Sequence, residues 1–302
     1  MKTLALFISI LALPFLILAQ KTDSVPFNGG QLYYHEYGQG KPIILLAGGP
    51  GISYHQQEEV AIRLGKTFHC ILLEQRGTGN SVPAKLDTAS INLRTAVSDL
   101  NLLLDHLKLK EAAFYGHSWG SLLAMYYASL YPQRVTQLVL AGPAPFNYTG
   151  DQMLTYDNNK YSRYTMNELV EMDSLATKSQ KGTLTKEENL RVRVLNNRTN
   201  IANPEMVDSV MTHISVGKTN MKTMNLMMTN VYKSKLDLTE AISHFNKPID
   251  IICGRQDALA FMAYEYKLIQ PKVNVHWIQS AGHFAMFEQP DAFYKTLSEI
   301  LK

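Results

Sequence analysis

The stretch Glu111-Ala-Ala-Phe-Tyr-Gly-His-Ser-Trp-Gly-Ser121 decides how this chain is read. Ser118 stands between Gly116 and Gly120, an apolar run from Ala112 to Tyr115 leads in, and a helix-like run from Ser121 to Leu130 leads out. Strand, sharp turn and helix around Gly-x-Ser-x-Gly is the setting that lifts a serine hydroxyl onto the carboxyl edge of a sheet. The turn puts the serine in a strained backbone conformation and leaves room only for small neighbours, which the glycines supply. The helix that follows aims its first N–H groups at the same spot. The pentapeptide alone is a weak motif that also fits a glycine-flanked turn serine; the flanking patterns separate the two readings.

Downstream, the apolar runs Ile249 to Cys253 and Val273 to Ile278 end in Gly254-Arg-Gln-Asp257 and Gln279-Ser-Ala-Gly-His283. Asp257 and His283 therefore follow strands at the edge predicted for Ser118, in the chain order Ser, Asp, His found in α/β-hydrolases. A hydroxyl is a poor nucleophile until a base takes its proton. Imidazole titrates near neutrality and can accept and return it, while a carboxylate on the far nitrogen fixes the tautomer. Asp250 is a poor rival for the acid because it lies at the start of its strand. His117 borders Ser118, but the turn is expected to aim neighbouring side chains elsewhere. His69, His106 and His276 read as core or surface residues.

Upstream, Ala47-Gly-Gly-Pro-Gly51 closes the apolar strand Pro42 to Ala47. Acyl hydrolysis builds negative charge on the carbonyl oxygen, and two fixed N–H donors stabilise it. The N–H of Trp119, directly after the serine, is one candidate, and that of Gly49 is the other. No His, Cys and Asp cluster has metal-ligand spacing, and this chemistry requires neither metal nor cofactor.

Unbroken apolar strands that alternate with helices predict a mostly parallel sheet flanked by helices. The helix Glu58 to Leu64, the strand Phe68 to Leu73 and the helical stripe Leu93, Val97, Leu100, Leu104 and Leu107 fit that pattern. Gln31 to Tyr37 alternates and meets Gly38-Gln-Gly40, a hairpin signal. Alternation stops at Gly142-Pro-Ala-Pro145. Residues 146–236 read as helical throughout, a cap inserted before the acid strand, so that 21–145 and 237–302 form the core. Apolar faces are predicted at Val207, Val210, Met211 and Ile214, and at Met221, Met224, Met228 and Val231.

Lys2, the apolar Leu4 to Ala19 and the polar Lys21-Thr-Asp-Ser24 predict a secretory signal peptide over residues 1–20, hence an exported protein with no stable membrane insertion after cleavage. Net charge is only +3 over 302 residues and no basic block is present, which gives nucleic-acid binding no support. The two cysteines, Cys70 and Cys253, sit in apolar strand-like runs and read as buried free thiols.

Gly48-Gly-Pro-Gly51, Gln75-Arg-Gly-Thr-Gly-Asn-Ser81 and Gly116-His-Ser-Trp-Gly-Ser121 together resemble the proline iminopeptidases, S33 peptidases of the α/β-hydrolase superfamily. The resemblance covers about residues 40 to 145, and it implies Ser118 as nucleophile, Asp257 as acid, His283 as base, a helical cap, no cofactor, and removal of a residue from the amino end of a peptide. Ala47 and Glu74 depart from the histidine and aspartate usual there. The cap also lacks the family's Trp-rich segment with its amine-holding glutamate, since the only tryptophans are Trp119 and Trp277. The leading expectation is a serine aminopeptidase acting on short peptides. The runner-up is a hydrolase of a small ester, lactone or amide without a free amine, and a hydrolase fold reused for binding comes third.

Overall fold

The computed structural model describes residues 20–302. The leader read into residues 1–20 therefore lies, apart from Gln20, outside the described residues. The polar run after it belongs to β1 (Lys21–Phe27), paired antiparallel with β2 (Gly30–Tyr37). Then follow β3 (Pro42–Leu46), α1 (Glu58–Leu64), β4 (His69–Leu73), α2 (Leu93–His106), β5 (Ala112–His117), α3 (Trp119–Leu130) and β6 (Val135–Ala141). A helical stretch comes next: α4 (Gln152–Tyr161), α5 (Met166–Gln180), α6 (Lys186–Arg198), α7 (Val207–Ile214), α8 (Met221–Ser234) and α9 (Thr239–His244). The chain closes with β7 (Ile249–Gly254), α10 (Phe261–Ile269), β8 (Asn274–Ile278), α11 (Ala285–Glu288) and α12 (Pro290–Ile300).

The sheet order is β1-β2-β4-β3-β5-β6-β7-β8, antiparallel at β1–β2 and β2–β4 and parallel elsewhere. This corrects the hairpin expectation. The tight turn is Asn28-Gly29, and β4 lies between β2 and β3, so Gly38-Gln-Gly40 is a crossing and not a hairpin. Gly38 adopts φ +71°, and a Cβ there would run into the Gly65 carbonyl. The glycine answers to that close approach, which local text does not distinguish from a hairpin turn.

Successive strand residues feed opposite faces. Ile44 and Leu46 join one buried cluster with α2, α3 and α10, whereas Ile43 and Leu45 join another with α1 and α12. Burial on both faces is why these strands read as unbroken apolar runs. Cys70 and Cys253 are both buried and free. Burial pushes the Cys70 thiol up to about 12, so it is inert at neutral pH.

The helical stretch leaves and rejoins the core at one place. Asn147 and Asp237 form an antiparallel bridge, flanked by Tyr148 N–H to Leu236 O (2.7 Å) and Leu238 N–H to Phe146 O (3.0 Å). Within it, Val207, Val210 and Met211 are buried as the pattern predicted. The face predicted for α8 is corrected: Met221 is exposed, and the buried residues are Thr223, Met227 and Val231. Thr223 wins burial because its hydroxyl donates to Gly77 O, a partner far away in sequence.

Candidate active site

Ser118 follows β5 directly and takes φ +51°, ψ −119°, the strained conformation that the glycine spacing called for. A Cβ at Gly116 would strike the Gly120 carbonyl, and one at Gly120 would strike that of Leu46. The turn can therefore close only because both positions lack side chains. Ser118 N–H donates to Ala141 O at 3.0 Å, which ties the serine to the end of β6. Trp119 opens α3, so its N–H has no partner within the helix.

Asp257 and His283 leave the ends of β7 and β8 and meet. His283 Nδ1 lies 2.8 Å from Asp257 Oδ2, with both residues buried. Asp257 Oδ1 also accepts the Leu259 N–H at 2.8 Å. The carboxylate favours a proton on Nδ1 and leaves Nε2 as the basic nitrogen. A Cβ on Gly142 would lie 3.0 Å from His283 Nδ1 and 3.2 Å from Asp257 Oδ2. The pair thus packs against Gly142, and the serine is bonded to the preceding residue, Ala141. The Ser118 backbone and the His283–Asp257 pair thus both lie at the carboxyl end of β6.

The glycine loop sits beside them. Gly48 N–H is donated to Gln56 Oε1 at 2.8 Å, while Gly49 and Gly51 adopt φ +58° and +87°. Gln75 connects this loop to the helix start: its Nε2 donates to Ala47 O and its Oε1 accepts from Trp119 Nε1, each at 2.9 Å. Sequence reading had placed Gln75 in a motif without a task. Asp250 lies at the amino end of β7, bonded to Gln137, Asn274 and His276, far along the strand from this edge.

His117 corrects an expectation. Its side chain is buried beside the site, its Nε2 donates to His283 O at 3.0 Å, and the two rings lie 4.8 Å apart. Burial, and then the neighbouring His283, lower its pKa to about 3, so it is neutral. Its identity carried no signal because the contact joins residues 166 apart in the chain. Glu288 is also buried: it accepts N–H groups from Gly282, Phe284 and Ala202, and burial pushes its carboxyl up.

The helical stretch grips each loop. Asn220 N–H donates to Gly51 O at 2.7 Å, Asn159 Nδ2 to Ala258 O at 3.0 Å, and His283 N–H to Asn200 O at 2.7 Å. Among the described residues, no group of three or more His, Cys, Asp or Glu is placed to hold a metal ion.

The sequence matches the alpha/beta hydrolase fold family over residues 41–290, most of the chain. The chain belongs to the α/β-hydrolase fold family. Among its relatives, a cis-3-alkyl-4-alkyloxetan-2-one decarboxylase of Shewanella oneidensis is 33% identical over 132 residues, 43% of this chain and 41% of the relative. A probable proline iminopeptidase of Streptomyces coelicolor is 34% identical over 126 residues, 39% of this chain and 38% of the relative. The matched stretches thus span about two fifths of these relatives' length. An α/β-fold family hydrolase from Bacillus anthracis superposes with a TM-score of 0.74 at 18% identity, covering 93% of this chain and 99% of the other. A proline iminopeptidase of Mycobacterium smegmatis superposes at 0.70 and 17%, with 93% and 97% covered. At those identities the superpositions speak for the fold. The similarity to proline iminopeptidases agrees with the resemblance carried by the glycine-loop and Gln75 motifs and by the Gly116–Gly120 turn, the nucleophile elbow of such folds.

Proposed function

We propose that the protein is a serine hydrolase in which Ser118 is the nucleophile, His283 the base and Asp257 the acid, with the N–H groups of Trp119 and Gly49 holding the oxyanion. The observation that carries this reading is the buried His283–Asp257 pair at 2.8 Å, packed against the strand end that also binds Ser118. In acylation the Ser118 proton passes to His283 Nε2 as Oγ bonds to the substrate carbonyl carbon. The tetrahedral intermediate then expels the leaving group, which takes that proton. Water, deprotonated by the same nitrogen, splits the acyl-enzyme and frees Ser118.

For the substrate we propose the amino-terminal bond of short peptides, an aminopeptidase reading supported by the similarity to proline iminopeptidases. The second reading, a small ester, lactone or amide without a free amine, has its own support. Glu168, Glu171 and Glu188 of the helical stretch are occupied by Arg198, Arg191 and Lys178, which leaves them ill placed to capture an amine. One relative is named for a four-membered lactone, and a structural neighbour for degrading N-acyl homoserine lactones. Prolyl and alanyl arylamides, p-nitrophenyl esters and a β-lactone, each assayed with the purified protein, separate the two. Arylamide turnover is expected; ester or lactone turnover without it refutes the aminopeptidase reading.

The helices between β6 and β7 are proposed to cap the site, and residues 1–20 to direct export. The mass of the protein recovered from its host tests the second point: an intact amino terminus on the exported form, or retention in the cytoplasm, counts against it.

A further inference from the structure

The His283 loop is held by an unusual anchor. Glu288, at the end of α11, is only 3% exposed and has no cationic partner among the described residues. Its Oε1 accepts the N–H groups of Gly282 (3.0 Å) and Phe284 (3.3 Å), on either side of His283. Its Oε2 accepts the N–H of Ala202 (2.7 Å), in the helical stretch 86 residues away. The N–H between those two loop donors, that of His283, goes to Asn200 O at 2.7 Å. Residues 282–284, 200–202 and the carboxylate thus close a ring of hydrogen bonds through the backbone of His283. Gly282 permits it, because a Cβ there would strike the Asn200 carbonyl. A dry carboxylate without a counter-cation is costlier than an apolar side chain of similar size, so packing alone does not account for it. What a carboxylate can do, and an apolar group cannot, is accept converging N–H groups and fix the direction of the segment between them.

We propose that Glu288 is a positioning residue, whose carboxylate locks the His283 loop to segment 200–202 and so sets the direction of the imidazole. The inference rests on the base role proposed for His283. It also makes the helical stretch part of the catalytic geometry: displacing residues 200–202 displaces the base.

Glu288→Gln tests it. The amide offers one acceptor oxygen, so it must turn an NH2 group toward either the loop N–H groups or that of Ala202, and one side of the ring opens. With whichever substrate the panel identifies, kcat per folded protein is expected to fall about tenfold or more with KM within about threefold of the parent, as for a misaimed group. Folding is read from near-ultraviolet circular dichroism and thermal unfolding. Should this variant not fold, Glu288→Asp, which keeps the charge on a shorter arm, takes its place with the same expectation. A folded variant whose kcat falls by less than about tenfold, or whose loss is carried by KM, overturns the proposal. Ser118→Ala, assayed alongside, keeps the two failures apart. If it still turns substrate over, the triad reading falls; if it is dead while the Glu288 variant matches the parent, only the positioning role falls.

Discussion

The sheet and the helical stretch between β6 and β7 are held by different means. In the sheet layer, β7 is buried along its whole length and α3 is buried from Trp119 to Met125. In the helical stretch, α5 buries only Leu175 and α6 only Leu195. Their ends are fastened instead by capping boxes at Thr165/Glu168 and Thr185/Glu188, and their outer faces by ion pairs such as Arg191–Glu171. Where the stretch meets the core, α7 and α8 add Val210 and Val231 to its buried clusters, and hydrogen bonds reach the loops that carry the candidate site. Apolar burial is therefore denser in the sheet layer than in α5 and α6.

Three tests, one of them a pair of substitutions, bear on that division. Ser118→Ala should lower turnover by about a thousandfold or more while leaving thermal unfolding essentially unchanged, because the hydroxyl supports no packing. Activity near the parent's level would sink the nucleophile assignment. Leu140→Ala, at a fully buried position of β6, should cost about 2–5 kcal/mol in urea unfolding. Leu190→Ala, 56% exposed on α6, should stay within about 0.5 kcal/mol. Equal costs at the two positions would erase the contrast.

The third concerns pH. The His117 imidazole has its folded pKa lowered from 6.5 to about 3, so the unfolded chain binds more protons between those values. Its contribution to stability is fully present above pH 6.5 and is lost as pH falls toward 3, by up to about 1.4 kcal/mol per unit. Urea titrations at successive pH values should show a shallower acid loss for His117→Gln than for the parent. Parallel curves would mean that the buried ring does not set the acid limit.

The elbow was readable because its cause is local. A serine at φ +51° needs small residues two places away on each side, and those residues are adjacent in the text. Asp257 and His283 were readable because strand ends can be recognised, and parallel strands deliver them to one edge. Strand β1 went unread, its residues noted only as the polar flank of the leader. It lies at the sheet edge with Lys21, Thr22 and Pro26 exposed, so the apolar signal of a buried strand is missing. The buried face of α8 was misassigned by a fraction of a turn, since a threonine bonded to Gly77 O displaced a methionine.

What sequence by itself determined is the parallel α/β framework, the strained serine turn, and the acid and histidine at strand ends, because each follows from short-range periodicity or from a glycine beside the residue it serves. What only the tertiary structure decided is how those groups are held: Gln75 between Ala47 and Trp119, His117 under the His283 carbonyl, and Glu288 between the histidine loop and Ala202. The bonds of Gln75 to Ala47 and Trp119, of His117 to His283 and of Glu288 to Ala202 join residues 28 to 166 apart. A hydrogen bond across such a span leaves no periodic trace along the chain, and it exists only once the sheet has brought its ends together.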